Sequence, residues 1–158
     1  MKRMLIATVA LALGACASSG GGSGTTSAKT PADMILGKWT CTAAPEGIAS
    51  EAVIDYAKGG TAKVDAKLSV NQGGMAVEIH ANGDANWAFL PDGKLEETIT
   101  SLNVIKGTMN GNDVPPAMIQ GMIQQSVVGQ KTTSAAVFSG DSFTLTDDGS
   151  GTVTSCKR

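Results

Sequence analysis

The sequence predicts a mainly β domain, an antiparallel meander of about eight strands closing into a small barrel, with one amphipathic helix inserted near residues 115–128. Three observations carry this. Turn signals recur at strand-length intervals: Gly59-Gly60, Asn71-Gln72-Gly73-Gly74, Asn82-Gly83-Asp84, Pro91-Asp92-Gly93, Asn110-Gly111-Asn112, Ser139-Gly140-Asp141 and Asp147-Asp148-Gly149. Each supplies the positive-φ or Asx residues that hairpins require. Between them apolar residues alternate with polar ones, which puts one sheet face on a core and the other in water. One segment alone switches to helical spacing. A sheet of this size removes its exposed edges by closing.

Taken in order, a short apolar turn from Ala32 to Leu36 leads into Gly37-Lys38-Trp39 at the head of the first strand. Over 61–70, Ala62, Val64, Ala66, Leu68 and Val70 alternate with Thr61, Lys63, Asp65, Lys67 and Ser69. Met75, Val77, Ile79 and Ala81 then form an apolar face that Ala85, Trp87 and Phe89 continue. The run from Leu95 to Lys106 changes phase near Ser101, which predicts a bulge. Asn112-Asp113-Val114-Pro115-Pro116 precedes Met118, Ile119, Met122, Ile123 and Val127 at helical spacing. Asx and proline residues suit a helix start and Gly129 its end, although Gly121 inside costs about 1 kcal/mol relative to alanine. Such a helix covers an open edge or end of the sheet, or forms a lid over a ligand cavity.

The chain before the domain has a different character. Lys2 and Arg3 precede an apolar run from Met4 to Leu13, too short to cross a bilayer, and then Leu13-Gly14-Ala15-Cys16. This resembles the lipobox signal of bacterial lipoproteins. The resemblance implies that residues 1–15 are removed and that Cys16 becomes a lipidated N-terminus, held by several acyl chains where one alone is marginal. Ala17, in place of aspartate, implies sorting to the outer membrane of a Gram-negative cell, with the domain facing the periplasm. Residues 16–30 then form the lipidated cysteine and a Gly/Ser/Thr-rich tether with a reach of about 20 Å. Residues 31–158 form one domain, long enough for a single core.

Charge and cysteine usage agree with export. Losing Lys2 and Arg3 leaves ten basic against fourteen acidic residues, a formal charge of about −4. No basic run exceeds Lys157-Arg158, so nucleic acid is excluded as a natural partner. Cys41 and Cys156 remain as a pair, which in an oxidising compartment predicts a disulfide. A loop of that length stabilises by about 4–5 kcal/mol in the chain-entropy model. A two-cysteine metal site lacks further ligands, because His80 is the single histidine.

The Gly37-Lys38-Trp39 opening resembles that of the lipocalin-like (calycin) barrels. The resemblance implies that Trp39 packs on the barrel floor beneath a basic residue from the last strand. If Cys41 faces Cys156 in an antiparallel pair, Trp39 lies opposite Arg158. A cation–π contact there contributes about 0.5–2 kcal/mol.

Catalytic machinery is not recognisable. His80 lies on a polar strand face and reads as a solvated surface histidine. An acid–base pair or weak metal site with Glu78 and Asp84 is the sharper alternative. Glu96-Glu97 and Asp147-Asp148 are sequence neighbours, and strand neighbours point to opposite faces, unlike a glycosidase pair. No phosphate-loop, dinucleotide, metalloprotease or Ca²⁺-loop motif occurs. The expectation is a non-enzymatic envelope protein without cofactor, binding an apolar or amphiphilic ligand or supporting envelope integrity. Ala62, Ala66, Ala81 and Ala85 either leave room for a ligand inside or let large neighbours interdigitate. The alternative is a periplasmic inhibitor or partner-binding barrel: Trp39-Thr40-Cys41 with Cys156 resembles the layout of membrane-bound lysozyme inhibitors, and Tyr56 is the only tyrosine.

Overall fold

Strand register shows how the meander closes. The computed structural model describes residues 28–45 and 48–158, so the lipobox and Cys16 lie outside the described residues. A short helix α1 (Pro31–Met34) is followed by β1 (Gly37–Ala43), β2 (Ile48–Ala57), β3 (Thr61–Gln72), β4 (Met75–Phe89), β5 (Leu95–Met109) and β6 (Asn112–Val114). Helix α2 (Pro116–Val127) precedes β7 (Lys131–Ser139), β8 (Ser142–Asp147) and β9 (Val153–Lys157). The strands pair in the order β4-β3-β2-β1-β9-β8-β7-β5, and β4 pairs again with β5. Eight antiparallel strands therefore form a closed ring, and β6 hangs on β5 outside it.

Two expected local features take another form. Asn82-Gly83-Asp84 is not a turn; β4 runs straight through it. The glycine serves close approach instead. A Cβ at Gly83 would collide with the Ser101 carbonyl, beside a register shift that leaves Thr100 unpaired between Asp84–Ser101 and Ala85–Ile99. That shift is the bulge expected near Ser101. A second one, at Ile105, has no comparable phase signal in the sequence. Likewise Asn112 and Asp113 do not cap α2. Asn110 and Gly111 make a tight turn, both at positive φ (51° and 78°), whose twist suits a hairpin. The chain therefore pairs back as β6, and α2 starts at Pro115 with no side-chain cap.

Helix α2 solves a problem that the ring leaves open. Only Leu95–Thr98 of β5 pair with β7, so the rest of that edge needs other partners. The Gln120 side-chain amide supplies two. Its oxygen accepts from the Val104 N–H at 2.6 Å, and its nitrogen donates to the Leu102 carbonyl. The Gly129 N–H donates to the Ile99 carbonyl at 2.8 Å. Ile119, only 2 % exposed, fills the space above Gly107, where any side chain would collide with it.

All six aromatic residues gather at the α1 end of the ring. Successive ring contacts run Tyr56–Trp87–Phe89–Phe138–Phe143–Trp39, with centroids 4.6–6.3 Å apart. The Trp39 indole N–H donates to the Ile35 carbonyl at 2.6 Å, tying this floor to α1. Arg158 lies over the Trp39 ring, its guanidinium carbon 4.2 Å from the centroid, and also donates to the Leu36 carbonyl. Cys41 and Cys156 are directly paired across β1 and β9 and joined as a disulfide spanning 115 residues.

Replacing Gln120 by leucine should cost about 1–3 kcal/mol in urea unfolding, because two β5 backbone groups lose their partners under an apolar side chain. Replacing both Cys41 and Cys156 by alanine should lower unfolding stability by about 4–5 kcal/mol, read in the same assay.

Candidate functional site

Side-chain volume is unevenly distributed along the inside of the ring. In the row at the floor, Tyr56, Ala62, Ala85 and Ile99 lie in register across β2 to β5. The next row reads Trp39, Ile54, Val64, Gly83 and Leu102, and the one above it Cys41, Ala52, Ala66, Ala81 and Val104. Large rings and alanine share the lowest rows, and alanine dominates the third. A cleft of about 330 Å³ results, walled by Ile54, Val64, Ala85 and Ile99. Ser126 and Val127 from the last turn of α2, with Gln130 and Thr132 beyond it, line the remaining side.

One ionisable group lines this cleft. Glu96 and Glu97 point to opposite faces of β5, as strand geometry requires. Glu96 pairs with Lys131 at 2.9 Å on the outer face. Glu97 points inward, in the same phase as buried Leu95 and half-buried Ile99. The Tyr56 hydroxyl, itself 1 % exposed, donates to Glu97 Oε1 at 2.7 Å. That is the one hydrogen bond the Glu97 carboxyl receives from the described side chains, and it leaves Oε2 for the cleft. Burial pushes the Glu97 carboxyl above its usual 4.5, outweighing the opposing pull of the Tyr56 hydrogen bond. No cation contributes to its environment. Burial, and then the Glu97 charge, pushes the Tyr56 phenol far above 10, so it remains a donor at any working pH.

The opposite face of the same strands carries a larger but shallower groove of about 850 Å³. Thr42, Glu51, Lys67, His80 and Lys106 form one cross-strand row along it. Glu51, Lys67 and Lys106 carry the charge of this row, and Ala43, Leu68 and Ile79 also line the groove. His80 stands there beside Asp65, at 3.1 Å, rather than engaging Asp84. Asp84 is held by Lys63 at 3.0 Å and by the Ser101 hydroxyl. Among the described residues no group of three His, Cys, Asp or Glu side chains could hold a metal ion. No helix among them is long and apolar enough to cross a membrane.

Of the residues singled out from sequence, Trp39, Arg158, Cys41 and Cys156 come together near the floor. They close the fold and do not line the cleft. Cys16 lies outside the described residues. Glu97 and Tyr56 went unrecognised as a pair. The available signal was the phase of β5, because Leu95, Glu97 and Ile99 share one face and put a carboxylate where an apolar residue belongs. The Tyr56 partnership, across 41 residues, had no local signal.

No known family model matches the chain, and no curated protein matches it in sequence.

The Glu97 shift predicts a pH dependence of stability. Its raised carboxyl binds a proton more tightly in the native state than in the unfolded chain, so its contribution is complete below about pH 4.5 and declines as pH rises through the native value. Asp33, Asp84 and Asp147 are shifted the other way and act below 3.8, outside this window. Urea midpoints from pH 4 to 8 should therefore fall less steeply in Glu97→Gln than in the parent.

Proposed function

We propose that this chain is a lipid-anchored envelope protein whose barrel binds a small apolar or amphiphilic ligand without altering it chemically. The observation that carries the binding reading is the cleft above the aromatic floor: concave, mostly apolar, with one inward carboxyl to orient an occupant. Small-ligand sites share that composition, and 330 Å³ is at the lower end of their sizes. The anchor reading rests on Leu13-Gly14-Ala15-Cys16 and on the Gly/Ser-rich residues that follow. With Ala17 in place of aspartate, they support an outer-membrane tether about 20 Å in reach and a domain in the periplasm.

The non-enzymatic reading rests on the chemistry of the cleft. Activated nucleophiles need a base within hydrogen-bond reach. The cleft offers a carboxyl engaged by a phenol, and the single imidazole stands on the outer face. The inhibitor reading is less favoured, because Tyr56 is buried against Trp87 and is not displayed on a loop.

Two measurements test the proposal together. Labelled palmitate should enter the parent chain and not Cys16→Ser. Native mass spectrometry of the mildly extracted domain should detect a small retained ligand that is lost in Val127→Trp, where the indole fills the cleft. An unlabelled parent chain removes the anchor, and an occupant-free cleft that also leaves Trp87 emission unmoved by apolar probes removes the binding reading.

A further inference from the structure

We infer that the cleft is selective for amphiphiles whose buried end is a protonated amine, with Glu97 as the counter-charge. The inference rests on the ligand-binding reading above and specifies the chemistry of the occupant. Four observations on the page support it. Glu97 points into a cleft with no other charged residue, lined by apolar Ile54, Val64, Ala85, Ile99 and Val127 and by uncharged polar Ser126, Gln130 and Thr132. Its Oε1 is engaged by the Tyr56 hydroxyl, and Oε2 has no partner among the described side chains. The nearest lysine along β7, Lys131, is committed to Glu96 on the outer face of the sheet. Helix α2 closes over the site with Ser126 and Val127 and carries no charged residue in its first or last turn.

A carboxylate in such a place is expensive unless a cation accompanies it. An ammonium supplies both the missing charge and up to three donors, so it satisfies Oε2 and relieves the unpaired charge in one contact. An alcohol of the same length donates one hydrogen bond and leaves the charge unpaired. A fatty-acid headgroup brings a second carboxylate beside Glu97, which like-charge repulsion opposes. The expected order is amine, then alcohol, then acid. The cleft volume sets the chain length: a cavity of about 150 Å³ accepts benzene, so 330 Å³ accommodates a chain such as octyl.

The ionisable groups facing this site are few. Tyr56 approaches from β2 and stays neutral, and the α2 and β7 residues that line it, Ser126, Gln130 and Thr132, do not titrate. Loss of amine binding as pH falls is therefore a property of Glu97.

The test uses octylamine, octanol and octanoate on the folded domain, followed by Trp87 emission and calorimetry. Octylamine should bind at least tenfold more tightly than octanol at pH 7.5, octanoate more weakly than both, and the amine preference should fade as pH is lowered toward 4.5. Glu97→Gln preserves the size of the side chain and an acceptor for Tyr56. It should cut octylamine affinity tenfold or more while leaving octanol within about twofold. Equal binding of the amine and the alcohol, or a preference that survives in Glu97→Gln, overturns this inference and leaves the binding reading intact. Absence of binding by all three removes both.

Discussion

The constraint on which this molecule depends is the placement of its few aromatic side chains. A closed ring of eight strands encloses a fixed width, and the residues inside must fill it or leave space. Here six rings, all that the chain has, form one connected layer at the α1 end. Ala62 and Ala85 pack among these rings, and the strands continue beyond them with Gly83, Ala66 and Ala81 on the inner face. Trp39 joins the two ends of the chain to this layer, through Ile35 on one side and Arg158 on the other.

Helix α2 connects the architecture to the cleft. An edge on β5 left unpaired beyond Thr98 would expose backbone donors and acceptors. Gln120 imitates a neighbouring strand with its amide, and Gly129 supplies one more donor. The same helix, anchored by buried Ile119, brings Val127 to the cleft walled by Ile54, Val64, Ala85 and Ile99. Edge cover and lid were alternatives when read from periodicity. In the folded chain the middle turns of one helix cover the edge, and its last turn lines the cleft.

Glu97 and Tyr56 give the cleft its chemical polarity. Leu95, Glu97 and Ile99 occupy successive inward positions, so the carboxyl replaces what would otherwise be core. Burial disfavours its charge, and the Tyr56 hydrogen bond offsets only part of that. A structural role alone would be served by an apolar residue in that position. The result is a carboxyl with one side-chain hydrogen bond, from Tyr56, at the wall of the cleft.

The alternation of apolar and polar residues and the spacing of Gly and Asx turns were enough to specify an antiparallel meander, its helix and the buried faces of β3 and β4. These are local properties, set by a side-chain period of two and by backbone conformations that few residues tolerate. The pairing of Cys41 with Cys156 was legible too, on the expectation that Cys16 is lipidated. Other features needed the third dimension. Gly83 carries a turn signal yet lies within β4, because approach to Ser101 across the bulge, not chain reversal, requires the missing side chain. Asn112 and Asp113 joined a hairpin because pairing with β5 satisfied more backbone groups than capping a helix would have. The cleft and its carboxyl are the clearest case: cavity volume depends on which side chains face one another across strands distant in sequence, and the Tyr56–Glu97 contact exists only once β2 and β5 are brought onto one barrel wall.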